Sequence, residues 1–260
     1  MNNKNARIGS PLFILREACE KDLLAVLDKL AQIGYEGIEF LGFFGHKPSA
    51  IKNKLVSCGL AAVGNHVPFD YFADNTDEVT DAHKEIGCGY ITVGAPGADG
   101  MPGGADYART VETFERLGEA ARDAGMKLLY HNHAEELKNK LGGKAILEHI
   151  FDDTRPDLLY CELDLGWISI GGGDPAYYLR KYKERCPVIH FKDYMPDDNT
   201  GFIFKPTGYG VMQNAQLYAL SQKCEPDWYI MDHDCAYERN SYFDLEISLE
   251  YFKNLMTVYA

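Results

Sequence analysis

Four apolar stretches of this chain end in the same way, on histidine or acidic residues. Each runs through side chains typical of a buried strand and reaches imidazole or carboxylate groups at its carboxyl end. They are residues 128–136, 158–164, 187–193 and 228–234. Buried strands that end in this way bring polar groups to one rim of a sheet, where a ligand or a metal ion can bind.

Strand-like and helix-like segments alternate over nearly the whole chain. Further strands are predicted around 7–10, 37–40, 60–66 and 89–94, and each is followed by a helical pattern or a loop. Leu23, Leu27, Leu30 and Ile33 have the spacing of one helix face, and Gly34 is its stop signal. Loops are predicted for segments 95–104 and 194–210, which are rich in Gly with Pro or Asn. A helix is predicted for residues 144–151.

Eight strand–helix units without a change of composition favour a single domain spanning residues 1–260. Strands alternating with helices imply parallel pairing through right-handed crossovers. At this length a closed (β/α)8 TIM barrel is favoured over an open doubly wound sheet, because the polar residues fall around the whole rim and not at one switch point. No Gly-x-Gly-x-x-Gly follows the first strand, which argues against a dinucleotide-binding fold.

Composition excludes several classes of partner. A net charge of -13 argues against nucleic acid, whose phosphates require Lys and Arg. No apolar stretch has the length of a membrane span or of a signal-peptide core. Seven scattered cysteines, odd in number and without a Cys-x-x-Cys, predict free thiols in a reducing cytoplasm. We therefore expect a cytoplasmic protein acting on a small molecule, as a monomer or a homo-oligomer.

One imidazole or carboxylate from each of several strands is the pattern of a metal site. Mixed nitrogen and oxygen donors suit one divalent ion: Mn, Mg, Co or Zn. Alternation along a strand puts Glu162 with Asp164, His131 with His133, and His190 with Lys192 on common faces. The alternative is that these residues bind no metal and that loop backbone and water satisfy their hydrogen bonds. This explanation is less convincing for the whole set than for any one residue, because buried charge must be paired or metal-bound.

Several motifs resemble the sugar phosphate isomerase/epimerase family with its xylose-isomerase-like TIM barrel. They are Tyr130-His131-Asn132-His133, Glu162-Leu163-Asp164-Leu165-Gly166-Trp167, Gly171-Gly172-Gly173-Asp174-Pro175 and His190-Phe191-Lys192-Asp193. The resemblance spans nearly the whole chain. Two positions depart from it, since Asp232-His233-Asp234 stands where close relatives usually read Glu-Gln-Asp, and Gly208-Tyr209-Gly210 where they read Gly-Glu-Gly.

The resemblance implies metal ligands at the ends of strands five to eight. By position these are His131, Asp164, His190 and Asp232. His133 is the alternative to His131, and His233 the alternative to Asp232. Substrate contacts are expected from Glu39, His66 and Trp167.

The leading hypothesis is a metal-dependent isomerase or epimerase, or a related dehydratase or lyase, acting on a sugar, keto-sugar or polyol. A base would remove the α-proton, and the metal would stabilise the enediolate. His133 is the first candidate for the base and Glu162 the second, while Lys192 would hold an oxyanion or the substrate. Their alternative roles are to orient a ligand histidine and to neutralise the carboxylates.

Two other classes compete with this hypothesis. One is a non-catalytic barrel that binds a sugar or a partner through a degenerate metal site. The other is a metal-dependent endonuclease, which the negative charge opposes.

Overall fold

Eight parallel strands close into a barrel in the computed structural model, which describes residues 6–235 and 240–259. In chain order the strands are β1 Arg7–Pro11, β2 Gly37–Phe40, β3 Ala61–His66, β4 Tyr90–Val93, β5 Lys127–His131, β6 Lys140–Leu141, β7 Lys144–Ala145, β8 Leu159–Asp164, β9 Val188–Asp197, β10 Gly201–Lys205 and β11 Trp228–Asp232. All except β6, β7 and β10 form the barrel, and the pairs β8–β9 and β11–β1 close it. The prediction of a (β/α)8 TIM barrel is confirmed.

Helices surround the barrel and connect its strands. They are α1 Arg16–Ile33, α2 Pro48–Cys58, α3 Phe69–Asp74, α4 Thr76–Ile86, α5 Tyr107–Asp123, α6 Glu135–Lys138, α7 Ile146–Asp152, α8 Leu165–Ile170, α9 Pro175–Lys181, α10 Asn214–Ser221 and α11 Ser241–Val258. Gly34 and Gly59 end α1 and α2 in the left-handed region, with φ of 102° and 71°. No helix in the described ranges is both long and apolar enough to cross a membrane.

Residues 194–210, predicted as a loop, partly form a β-hairpin, so that prediction was wrong. The end of β9 passes beyond the barrel rim and pairs antiparallel with β10. Asp197 holds the turn, because its Oδ2 accepts three hydrogen bonds from the residues that follow it. Phe202 and Phe204 then pack edge-on against Trp167, with ring centroids 5.7 and 5.4 Å away. This tertiary contact overrides the turn-like local composition.

The prediction of a helix over 144–151 was wrong at its start. Gly142 and Gly143 have positive φ angles of 59° and 86° and turn the chain sharply. The turn pairs β6 with β7 in a small antiparallel ladder, so α7 begins only at Ile146. The short helices α3, α6 and α8 were not predicted either.

The barrel interior is apolar at its amino-terminal end and polar at its carboxyl-terminal end. The apolar cluster consists of Val63, Tyr90, Leu129, Val188, Trp228 and Ile230. Gly37 leaves space for the largest of these side chains, since a Cβ at this position would lie 2.4 Å from the Trp228 ring. Filling this end with apolar side chains confines the charged groups to the other rim.

Candidate active site

Eight buried or half-buried polar side chains form one connected network at the carboxyl ends of the barrel strands. They are Glu39, His66, His131, Glu162, Asp164, His190, Lys192 and Asp232. All eight were predicted site residues, and the closure of the barrel brings them together. Their individual roles stay predictions.

The rings of His131 and His190 each face two carboxylates, one with each nitrogen. His190 Nδ1 lies 3.1 Å from Asp232 Oδ2, and its Nε2 lies 3.1 Å from Glu39 Oε1. His131 Nδ1 lies 3.0 Å from Glu162 Oε1, and its Nε2 lies 3.9 Å from Asp164 Oδ2. Each ring therefore bridges one aspartate and one glutamate. Glu39 and Glu162 are here called the outer carboxylates.

Two groups of residues have the geometry to hold a metal ion. The first, here called the inner cage, is His131, Asp164, His190 and Asp232, and all four are buried. The second is His66, His131, Glu162 and His190. In each group the donor atoms lie within 4.8 Å of one another, so geometry alone allows both.

Hydrogen bonding favours the inner cage. Both oxygens of Glu162 already have partners: Thr92 Oγ1 donates to Oε2 at 2.8 Å, and His66 Nε2 lies 3.0 Å from Oε1. Asp232 Oδ1, by contrast, is buried and accepts no hydrogen bond within the described chain, and the buried Asp164 Oδ2 accepts none either and faces the Lys192 ammonium at 3.1 Å. Buried carboxylate oxygens without such partners are uncommon, and a cation satisfies them. The inner cage therefore fits a divalent ion, with Glu39 and Glu162 orienting its histidines.

Lys192 supplies a positive charge next to the inner cage. Its Nζ lies 3.1 Å from Asp164 Oδ2, 3.1 Å from Asp232 Oδ2 and 2.6 Å from Asp234 Oδ1, and its side chain is 1% exposed. Burial alone would lower the pKa of Lys192, but Asp164 and Asp232 outweigh burial and raise it. The ammonium is therefore charged at neutral pH.

The outer carboxylates hold their histidines protonated in the absence of a metal. Burial would lower the pKa of His66, yet Glu39 and Glu162 raise it to about 10. The same two carboxylates raise the pKa of His190 against burial. Burial in turn would raise the pKa of Glu162, but the His66 and His190 rings hold it well below its usual range.

His133 is the most exposed of the four histidines that line the cavity. It packs near His131 and Trp167, with ring centroids 5.0 and 5.6 Å away. Desolvation by the surrounding walls, followed by the positive charge of Lys192, lowers the pKa of His133 to about 4. Its imidazole is therefore neutral at pH 7, and one ring nitrogen carries a lone pair that can accept a proton.

A cavity of about 220 Å³ opens directly above this network. Its polar side is formed by Glu39, His66, His131, His133, His190, Lys192, Asp232 and Asp234. Its apolar side is formed by Pro11, Leu12, Phe13, Phe40 and Leu41. Such a cavity suits one compact polyhydroxylated molecule, with C–H groups against the apolar side and hydroxyls against the polar side.

Trp167, a predicted substrate contact, is absent from the cavity lining. Its ring packs against His133 and lies 4.9 Å from Lys192 Nζ, so it supports two residues that do line the cavity. The Trp167 backbone N–H also donates to Asp164 Oδ1 at 2.8 Å, where Asp164 caps α8. The contacts of Trp167 in this structure are therefore with protein groups around the site.

His233, the alternative ligand to Asp232, points away from the inner cage. Its Nε2 lies 3.4 Å from Asp244 Oδ2 on α11, and its side chain is fully buried. Alternation along β11 explains this, because Asp232 faces the barrel interior and the next residue faces outward.

Gly208-Tyr209-Gly210 is the second stretch that departs from the family pattern. Tyr209 is 56% exposed there, while Asp193 Oδ2 accepts a hydrogen bond from the neighbouring Gly208 N–H at 3.0 Å.

Two further site residues were missed from sequence. Thr92, near the end of β4, donates to Glu162, and Asp234 pairs with Lys192. Both positions could have been predicted from the sequence. Thr92 lies near the carboxyl end of a strand, and Asp234 lies two residues beyond Asp232 and so shares its alternation.

A family model and several known proteins match this chain. Residues 27–234 match the family model described as a xylose isomerase-like TIM barrel. A curated inosose dehydratase from Lacticaseibacillus casei is 25% identical over 191 residues, which cover 64% of this chain and 62% of that protein. The match thus spans less than two thirds of the length of that relative.

Solved structures share the fold at low identity. A sugar phosphate isomerase/epimerase from Parabacteroides distasonis superposes with a TM-score of 0.77 at 21% identity, covering 96% of this chain and 95% of the other. A probable 3-DHS dehydratase from Bacillus anthracis gives a TM-score of 0.75 at 12% identity, covering 95% and 98%. At these identities the likeness concerns the fold.

Proposed function

Because the chain belongs to the xylose isomerase-like TIM barrel family, we propose that it is a metal-dependent enzyme that removes the proton α to a carbonyl of a keto-sugar or keto-polyol. The product then forms by loss of water, or by return of the proton as in an isomerase or epimerase. The similarity to inosose dehydratases makes loss of water from a cyclic keto-polyol the first reaction to test.

One observation carries the proposal. Asp232 Oδ1 is a buried oxygen without a hydrogen-bond donor in the described chain, and Asp164 Oδ2 is buried with the Lys192 ammonium 3.1 Å away as its cationic partner. Both lie beside imidazoles whose other nitrogens are held by Glu39 and Glu162. A divalent ion held by His131, Asp164, His190 and Asp232 would supply a positive charge that polarises the substrate carbonyl. Two imidazoles with two carboxylates suit Mn²⁺, Co²⁺ or Zn²⁺ better than Mg²⁺, which prefers oxygen donors.

His133 is the base in this proposal. Its neutral ring faces the cavity, whereas Glu162 is engaged by Thr92, His66 and His131 and is better placed to orient them. The proton moves from the substrate carbon to His133, and the C–H electron pair forms a carbon–carbon double bond as the carbonyl becomes an enolate.

His66 is the candidate proton donor for the leaving hydroxyl. It lines the cavity, and in the metal-free protein Glu39 and Glu162 raise its pKa to about 10 against burial, which favours the protonated ring. In the dehydration, the enolate re-forms the carbonyl, the C–O bond at the β-carbon breaks, and the His66 proton leaves with the hydroxyl as water. In an isomerisation or epimerisation, the enolate is reprotonated instead.

The experiment follows inosose in D₂O by proton NMR, with purified protein and Mn²⁺. We expect loss of the α-proton signal and formation of the dehydrated ketone. The Asp164→Asn variant and an EDTA-treated sample are the controls and should show neither change. A metal-loaded protein that exchanges no α-proton in inosose or in a panel of ketohexoses would support the non-catalytic binding barrel instead.

A further inference from the structure

The Lys192 ammonium and a divalent ion in the inner cage would face the same oxygens. Nζ lies 3.1 Å from Asp164 Oδ2 and 3.1 Å from Asp232 Oδ2, and both carboxylates belong to the cage. Like charges this close repel strongly in a buried site. An ion cannot enter the cage at full affinity while the ammonium stays within contact of both carboxylates.

Asp234 is a third carboxylate partner of the same ammonium. Its Oδ1 lies 2.6 Å from Lys192 Nζ, and its side chain is 26% exposed at the cavity, outside the inner cage. Arg16 Nη1 donates to the Asp234 main-chain oxygen at 3.1 Å and fixes the backbone at that point. The rings of Trp167 and Phe204, centred 4.9 and 5.2 Å from Nζ, provide aromatic faces beside it.

We propose that Lys192 is the counter-cation of the metal-free cage and that Asp234 takes over its ammonium when a divalent ion binds. The Lys192–Asp234 pair then sets the affinity of the site for metal. This inference rests on the proposed metal cage and adds to it a residue pair that tunes the cage. It gives Asp234 the role of a positioning residue that acts through Lys192.

The test is a Mn²⁺ titration followed by the EPR signal of the free ion, with the whole protein and without substrate. The variants are Lys192→Met, Asp234→Asn and the double variant. Lys192→Met should tighten Mn²⁺ binding by at least about tenfold, because a competing charge is removed. Asp234→Asn should weaken it by about 10- to 100-fold, because the ammonium then stays on the cage.

The double variant separates a positioning role from direct ligation. If Asp234 acts through Lys192, Asp234→Asn should cost far less affinity in the Lys192→Met background than in the wild type. An equal loss in both backgrounds would make Asp234 a ligand and overturn the proposal. Lys192→Gln repeats the test with a polar side chain if Lys192→Met does not fold.

Lys181→Met is the matched control. Lys181 also contacts two carboxylates, those of Glu148 and Asp152, but these lie outside the inner cage. Its Mn²⁺ affinity should equal that of the wild type. Mn²⁺ binding that is unchanged in all the Lys192 and Asp234 variants would overturn this inference alone. Failure of every variant and of the wild type to bind Mn²⁺, Co²⁺ or Zn²⁺ would overturn the metal cage as well.

Discussion

Asn132 and Asp164 exchange two hydrogen bonds across neighbouring strands. Asn132 Nδ2 donates to the Asp164 main-chain oxygen at 3.2 Å, and the Asp164 N–H donates to Asn132 Oδ1 at 3.0 Å. The backbone ladder between β5 and β8 ends one residue earlier on β5, where His131 pairs with Glu162. The Asn132 side chain thus continues the ladder and fixes Asp164 relative to His131.

Replacing Asn132 by Ala should destabilise the protein and loosen the inner cage. Both hydrogen bonds are buried, and their loss leaves a main-chain donor and acceptor unsatisfied, at a cost of about 2–4 kcal/mol. Urea unfolding in EDTA measures this, and a Mn²⁺ titration measures the cage. Asn139→Ala, at an exposed position after α6, is the control and should change stability by less than about 0.5 kcal/mol. Equal stability of the two variants would mean that Asn132 does not hold Asp164.

Replacing Asp164 by Asn should abolish metal binding, because a neutral amide is a far poorer ligand for a divalent cation. Asp174→Asn is the control: Asp174 caps α9 outside the cage, and Asn is an equally good cap. Metal content of both purified variants, measured by mass spectrometry, gives the answer. Full occupancy in Asp164→Asn would show that the ion is held elsewhere.

The location of the site was predictable because its signal is local. Polar groups at strand ends are predicted by the apolar segments that end on His131, Asp164, His190 and Asp232. Parallel pairing is predicted by the alternation of strands with helices. Together these rules place the four side chains at one rim. The orientation of His233 away from the site also follows from alternation, although it was left open.

The features that the sequence did not predict depend on contacts that form only in the closed barrel. Which nitrogen of His131 faces Asp164 is set by ring orientation, and ring orientation depends on Glu162 across the strand pair. Lys192 meets Asp234 across 42 residues of chain, a contact that no periodicity encodes. The β9–β10 hairpin was missed for the same reason, since its aromatic residues pack on Trp167 from another strand end.

The metal-free protein should lose stability as the pH rises above neutrality. Burial opposes charge on His66, but Glu39 and Glu162 raise its pKa to about 10, against an ordinary value of about 6.5. The folded state therefore binds a proton more tightly than the unfolded state. The stabilisation that this proton gives is fully present below about pH 6.5 and is lost as the pH rises towards 10. The raised pKa of His190 acts in the same direction.

Urea unfolding in EDTA between pH 7 and 8 measures this slope, because His131 and His133, whose pKa values burial lowers, are then largely neutral in both states. Cysteine thiols, with a usual pKa of about 8.5, begin to ionise in the unfolded chain within this range and add the same loss to the wild type and the variants. The His66→Gln variant should show a shallower fall, because it removes one of the two contributing groups. His149→Gln, at a half-buried histidine on α7 whose Nε2 lies 3.0 Å from the Leu141 carbonyl oxygen, is the control for loss of a histidine outside the site. A wild-type slope in His66→Gln would show that Glu39 and Glu162 do not hold the His66 proton.

Substitutions at His133 and His131 should separate an effect on catalysis from an effect on metal binding. His133→Ala should keep the metal and lose about 10²–10⁴-fold in turnover, the usual contribution of a positioned general base. His131→Ala should lose metal and activity together, because its Nε2 faces Asp164 within the inner cage. Mn²⁺ titration and α-proton exchange, measured on both variants, give the two readouts. The reverse pattern, with metal lost only in His133→Ala, would exchange the two roles. Full metal and full activity in both variants would move the base to Glu162, the next carboxylate beneath the cavity.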